Sequence, residues 1–228
     1  MPTTTNFGWT TPADTALVKD GASAIRTLGS GIDTSFVDFK GGTTGQVLKK
    51  TSGTDLDVEW GTASSGLTLI NTTTFSGVSS VSVPASTFSA TYDNYLVRFN
   101  NLSSTVNEWA GIRLRAAGTD DSGANYRKQV LDVNGTSVSA ARTLNSTSWL
   151  EVCYQNTSVP NMWTLEIQNP FLSEVTTALD IGGIESNASP VFLIRFFGIN
   201  TTTSYDSFTL IAASGNITGS ISVYGLSK

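Results

Sequence analysis

Apolar positions change their spacing along the chain. Leu17, Val18, Gly21, Ala24, Ile25, Leu28 and Ile32 follow one another at three- and four-residue steps. That period predicts an amphipathic helix over about residues 12–28. Thr11 stands where a cap belongs, Pro12 suits a first helical position, Asp14 falls in the first turn, and Gly29-Ser30-Gly31 supply a stop. About four turns of helix are marginal alone in water, so the stripe requires a partner. It packs either on the chain's own β-domain or against the same stripe of other copies. Residues 1–11, polar and Thr-rich, are expected to be extended.

Residues 41–66 read as a connector. Gln46-Val47-Leu48-Lys49-Lys50 and Leu56-Asp57-Val58-Glu59-Trp60 flank a turn at Ser52-Gly53-Thr54, which predicts a small hairpin. Residues 62–66 (Thr-Ala-Ser-Ser-Gly) have the composition of a flexible linker. From Leu67 the spacing becomes two. Tyr95, Val97 and Phe99 recur at every second position, as do Ile112, Leu114 and Ala116. Leu150, Val152 and Tyr154 repeat the pattern, as do Trp163, Leu165 and Ile167, then Phe208 and Leu210, then Ile221 and Val223. Turn clusters such as 119–123, 133–136 and Ser186-Asn187-Ala188-Ser189-Pro190 separate the strands. Val191 to Phe197 is nearly all apolar, broken by Arg195. It suits a central strand, or one covered on both faces by a neighbouring subunit.

These patterns predict a mainly β protein. An N-terminal segment with a short helix (1–40) and a small β connector (41–66) precede a C-terminal antiparallel β-sandwich (67–228), jelly-roll-like by its length and loops. Composition agrees. Of the 228 residues, 33 are Thr and 29 Ser, and only 14% are charged. β-branched Thr suits exposed strand faces, whereas Ser, Gly and Asn suit turns.

Candidate chemistry is mostly excluded. The chain has no His and one Cys, so no catalytic triad, disulfide or His- or Cys-based zinc site can be assembled. A net charge of −5 argues against nucleic acid as the main partner, and no apolar run is long enough to cross a membrane. Gly41-Gly42-Thr43-Thr44-Gly45 lacks the Lys of a phosphate loop. Asp55, Asp57 and Glu59 alternate, as on a solvated strand face or in a calcium loop. Glu151 and Glu166 occupy polar positions of alternating strands and are the carboxylates to weigh for glycoside cleavage. No enzyme activity, cofactor or metal is expected. Arg113 and Arg115 share a strand face that is solvated or meets a subunit. With Arg127 and Lys128 they could also form a basic spot for an anionic sugar. Cys153 alternates out of phase with Val152 and is expected to face outward or toward a neighbour. Trp149 and Trp163 lie within strands and read as core. Trp109, after a polar loop, is the aromatic residue placed best to stack on a sugar. Asp120, Asp121 and Arg127 complete the candidate receptor-binding set.

One resemblance connects these parts. Residues 12–60 resemble the attachment segments of tailed-bacteriophage fibre and tail proteins. The carriers are Asp14-Thr15-Ala16-Leu17-Val18-Lys19-Asp20-Gly21 with Ala24-Ile25-Arg26-Thr27-Leu28-Gly29, then Gly45-Gln46-Val47-Leu48, Ser52-Gly53-Thr54-Asp55 and Val58-Glu59-Trp60. The second half is similar through Tyr92-Asp93-Asn94-Tyr95-Leu96-Val97 and the closing Asn216-Ile217-Thr218-Gly219-Ser220-Ile221-Ser222-Val223-Tyr224-Gly225. The resemblance implies a homotrimeric fibre on the virion, in the tail or on the capsid surface. Its N-terminus would dock on other virion proteins and its β-domain would meet a host-surface glycan or protein. A head fibre, collar or decoration protein without receptor binding is the alternative it leaves open.

Overall fold

The computed structural model describes residues 1–63, 66–157, 161–184 and 191–227. The predicted turn at 186–190 and Ser64 and Ser65 of the predicted linker lie outside them. The chain divides into two compact units, residues 1–64 and 65–228.

In the first unit a 3-10 turn (Val18–Asp20) leads into helix α1 (Gly21–Ser35), and strands β1 (Gln46–Lys50) and β2 (Val58–Thr62) pair antiparallel. The helix begins later than its apolar spacing suggested, because Leu17 is extended at φ −68°, ψ 138°. It also runs through Gly29-Ser30-Gly31. The reason lies in the N-terminus, which is folded back rather than extended. Thr11 N–H donates to the Pro2 carbonyl at 2.8 Å, and Phe7 stacks on Trp9 at 4.7 Å. Trp9 Nε1 donates to Ser35 Oγ at 2.9 Å, while its ring lies 3.6 Å from where a Cβ on Gly31 would stand. The helix thus carries Gly31 beside the indole instead of ending there. Ala24 is buried and Gly21, Leu28 and Gly31 are half-buried, but Leu17, Val18, Ile25 and Ile32 stay exposed. The expected stripe is therefore split into a covered and a bare face.

The second unit holds thirteen strands among the described residues. They are β3 (Leu67–Val78), β4 (Ser80–Ser82), β5 (Asn94–Ser104), β6 (Glu108–Ala116), β7 (Thr119–Asp120), β8 (Tyr126–Asn134) and β9 (Ser137–Ser146). There follow β10 (Trp149–Gln155), β11 (Asn161–Gln168), β12 (Thr177–Ile184), β13 (Val191–Ile199), β14 (Ser207–Ala212) and β15 (Ile217–Leu226). One sheet has the order β3-β15-β5-β11-β12-β13-β8-β9, and the other β10-β6-β14-β4 with β7 beside β6.

Eight of these strands pair as nested hairpins. β3 pairs with β15, β4 with β14, β5 with β11 and β6 with β10, all antiparallel. First with last, second with second-last and so inward is the connectivity of a jelly roll. Two hairpins are inserted into it. β8–β9 follows the β6–β7 turn, and β12–β13 follows β11; both extend the first sheet from four strands to eight.

Tyr95, Val97 and Phe99 of β5 and Ile221 and Val223 of β15 face Ile112 and Leu114 of β6 and Phe208 and Leu210 of β14, all fully buried. Phe88 fills the space between Tyr95 and Phe208, with ring centroids at 4.7 and 6.0 Å. Each such side chain contributes about 1.5–3 kcal/mol by leaving water.

Strand β10 departs from the expected alternation. Trp149 is buried where Leu150 was expected, and Cys153 where Tyr154 was. The register against β6 shifts between Trp149 and Cys153, and Glu151 takes φ +62°. At the bulge Val152 and Cys153 are both buried, while Trp149, Cys153 and Gln155 keep one inward phase on either side of it. Cys153 thus lies in the core, where burial pushes its thiol far above the ordinary range.

Candidate groove on the five-stranded sheet

Residues of β6, β10 and β14 border a groove of about 220 Å³. Trp109 and Glu108 lie at the start of β6, with Gly111 and Arg113 further along the strand. Ser148, Leu150 and Glu151 line the opposite side, and Ile211 closes it from β14. Gly111 is required at the floor, because a Cβ there would come within 2.7 Å of the Trp149 carbonyl.

The groove is rigid for electrostatic reasons. Trp109 packs beside Tyr154 and Trp163, with ring centroids at 5.2 and 6.0 Å. The Arg195 guanidinium lies 4.7 Å from the ring centroids of both Trp109 and Trp163. Arg195 is fully buried, pairs with Asp180, and donates to the carbonyls of Glu151 and Val152. A buried cation is tolerated only when its donors are satisfied, and two indole faces add cation–π attraction. The bulge at Glu151 therefore has a function, since it turns two carbonyls toward the guanidinium. Burial pushes the Asp180 carboxyl up to about 6, with Arg195 pulling the other way.

Around the rim, Arg113 Nε donates to the Thr147 carbonyl at 3.1 Å. Glu108 accepts from the Trp109 backbone N–H at 2.9 Å, and Glu151 accepts from Lys128. An indole held between fixed neighbours, with carboxylates and a guanidinium at its edge, can stack on one face of a sugar ring and hydrogen-bond its hydroxyls. No group of His, Cys, Asp and Glu side chains suited to a metal occurs among the described residues.

The four residues singled out for receptor binding are not brought to one place. Trp109 lines the groove. Asp120 shares that outer face, but its carboxylate pairs with Arg115 at 3.0 Å and accepts from Thr209 at 2.7 Å. Asp121 is tied into the fold, accepting from Tyr205 Oη at 2.7 Å and from the Gly123 N–H at 2.9 Å. Arg127 is exposed on the outer face of the other sheet. The possible basic spot is likewise dispersed, because Lys128 points inward to Glu151 while Arg113 and Arg115 lie on the opposite sheet. Glu151 and Glu166 also belong to different sheets, so they do not form a pair across one substrate. In the first unit Asp57 accepts from Thr51 and Ser52, which holds its carboxyl below the usual value. Glu59 pairs with Lys49 at 3.0 Å, so the three acidic residues do not converge.

Sequence reasoning missed Glu108 as a groove residue and gave Arg113 and Glu151 no common site with Trp109. No local signal brings them together, because β10 comes beside β6 only through the pairing of strands. Comparison of the chain with protein-family models, with curated proteins and with solved structures gives no match.

Proposed function

We propose that the chain is a bacteriophage virion fibre protein, assembled as a homotrimer, that docks through residues 1–64 and binds a host-surface glycan through its jelly-roll domain. The observation that carries the glycan reading is the groove, where a rigid, half-buried indole is bordered by Arg113, Glu108 and Glu151. Its volume suits about one sugar unit, so a single site is weak. Three copies on one fibre supply useful avidity without a deep pocket. The bare apolar face of α1 supports self-association of the N-terminal unit.

The test is competition for adsorption. Full-length protein is added to host cells before the phage, and free phage is counted. The reading predicts slowed adsorption, relieved when Arg113→Ala and Leu150→Asp are combined at the groove rim. Inhibition unchanged by that variant would remove the groove from the proposal. No inhibition and no cell binding, with tight binding to particles that lack the protein, would favour a head fibre or decoration role. The internal use of Asp120 and Asp121 favours that second reading, since it takes two candidate receptor contacts away.

A further inference from the structure

The outer face of the eight-stranded sheet is apolar where the inserted hairpins form it. Cross-strand register places Leu179, Phe196 and Gln129 in one row, Ile181, Ile194 and Leu131 in the next, and Gly183, Phe192 and Val133 in a third. Strand β9 continues the rows with Arg142, Ala140 and Val138. Phe192 is 47% exposed, Phe196 51% and Ile181 56%. Across β12, β13 and β8 no charged side chain interrupts the three rows, the first of which runs between Glu166 of β11 and Arg142 of β9.

This face is not a by-product of composition. On β3, β15 and β5 two outward rows are polar, Thr74, Ser220 and Asn100, then Thr72, Ser222 and Arg98, and a third is apolar, Leu69, Tyr224 and Leu96. Two of those three rows are polar, whereas the three rows on β12, β13 and β8 hold one polar side chain, Gln129.

We infer that the apolar face is a contact between copies of this chain, formed by the jelly-roll domains themselves. This rests on the proposal that the protein assembles from several copies. Two observations favour a second copy as occupant. The exposed apolar side chains offer on the order of 500 Å². A standard interface takes about 800 Å² from each partner, a little over half of it apolar, so the face matches what a stable contact between copies needs. The face is also continuous with β9, a ten-residue edge strand bare on both sides whose single charge is Arg142. Isolated edges are normally blunted with charge, proline or a covering element, and this one has Arg142 alone along its ten residues.

The test is the mass of the full chain by light scattering over a range of concentrations. The wild type is compared with Phe192→Ser combined with Phe196→Thr, and with Ile25→Asp combined with Ile32→Asp on the bare helix face. A second sheet pair, Ile181→Thr with Leu131→Thr, guards against loss of folding, which circular dichroism checks. The inference expects either sheet variant to need at least tenfold more protein for half-assembly. Sheet variants that assemble like the wild type, while the helix variant dissociates, would overturn the inference and leave the N-terminal association standing. A wild type of 24.1 kDa at every concentration would overturn both.

Discussion

The two halves of the eight-stranded sheet were made by the same chain for different surroundings. In the jelly-roll half, β3, β15, β5 and β11 bury one face against the second sheet and present a mixed outer face, with rows of Thr, Ser and Asn beside a row of Leu69, Tyr224 and Leu96. In the added half, β12, β13 and β8 also bury their inner face, yet their outer face carries Leu, Ile and Phe. The added inner face further contains a charge pair, Arg195 with Asp180, where the jelly-roll half holds Tyr95, Val97 and Phe99. An inserted element thus has two tasks. It must join an existing core, which the Arg195 network does by binding β13 to the β10 backbone. It can also offer a new surface, because the original fold is already closed without it.

The sharpest way to break the comparison is to remove Arg195. Arg195→Ala leaves Asp180 buried without its cation and frees two carbonyls, so a loss of about 3–5 kcal/mol is expected from urea unfolding. The adjacent pair Phe197 and Phe196 tests inside against outside on one strand. Phe197→Ala should cost about 3–5 kcal/mol, whereas Phe196→Ala should change the stability of an isolated chain by no more than about 0.5 kcal/mol and act on assembly instead. Gly182→Ala is smaller. A Cβ there would stand 2.3 Å from the Trp163 ring, and displacing that ring should cost about 1–3 kcal/mol.

The smallest effect is with pH. The folded protein holds the Asp180 proton more readily than the unfolded chain, since burial raises the carboxyl from 3.8 to about 6. The stability this group contributes is therefore present below about pH 4 and lost as pH rises to about 6. The stability difference between wild type and Asp180→Asn should change over that window and be level above it.

Much of this was legible beforehand. The regular alternations of β5, β11 and β15 mark strands with one buried face, and the small connector hairpin could be read from its turn. The helix ends were not legible, because the last turn is held by Trp9, which donates to Ser35 from twenty-six positions earlier. Strand β10 misled for a similar reason. Its inward phase is that of Trp149, Cys153 and Gln155, and the bulge at Glu151, whose carbonyl meets a guanidinium far along the chain, adds Val152 to the buried side. Arg195 stood out in an apolar run, yet its partners Asp180, Trp109 and Trp163 come from three other strands. Nor could local pattern tell which sheet each hairpin joins. The groove shares this limitation, since β6, β10 and β14 become neighbours only through the nested pairing.

The different surroundings of the two halves can be measured with one reagent. Cys153 is buried and inert, so a cysteine introduced at the surface is the reactive one. Ala140→Cys places it on the apolar rows and Thr74→Cys on the polar ones, both at exposed positions. Thiol-labelling rates of the two full-length variants are followed as protein concentration rises. The account predicts equal, fast labelling when dilute and selective protection of Ala140→Cys as copies assemble. Equal labelling at every concentration, in a protein that does assemble, would contradict it.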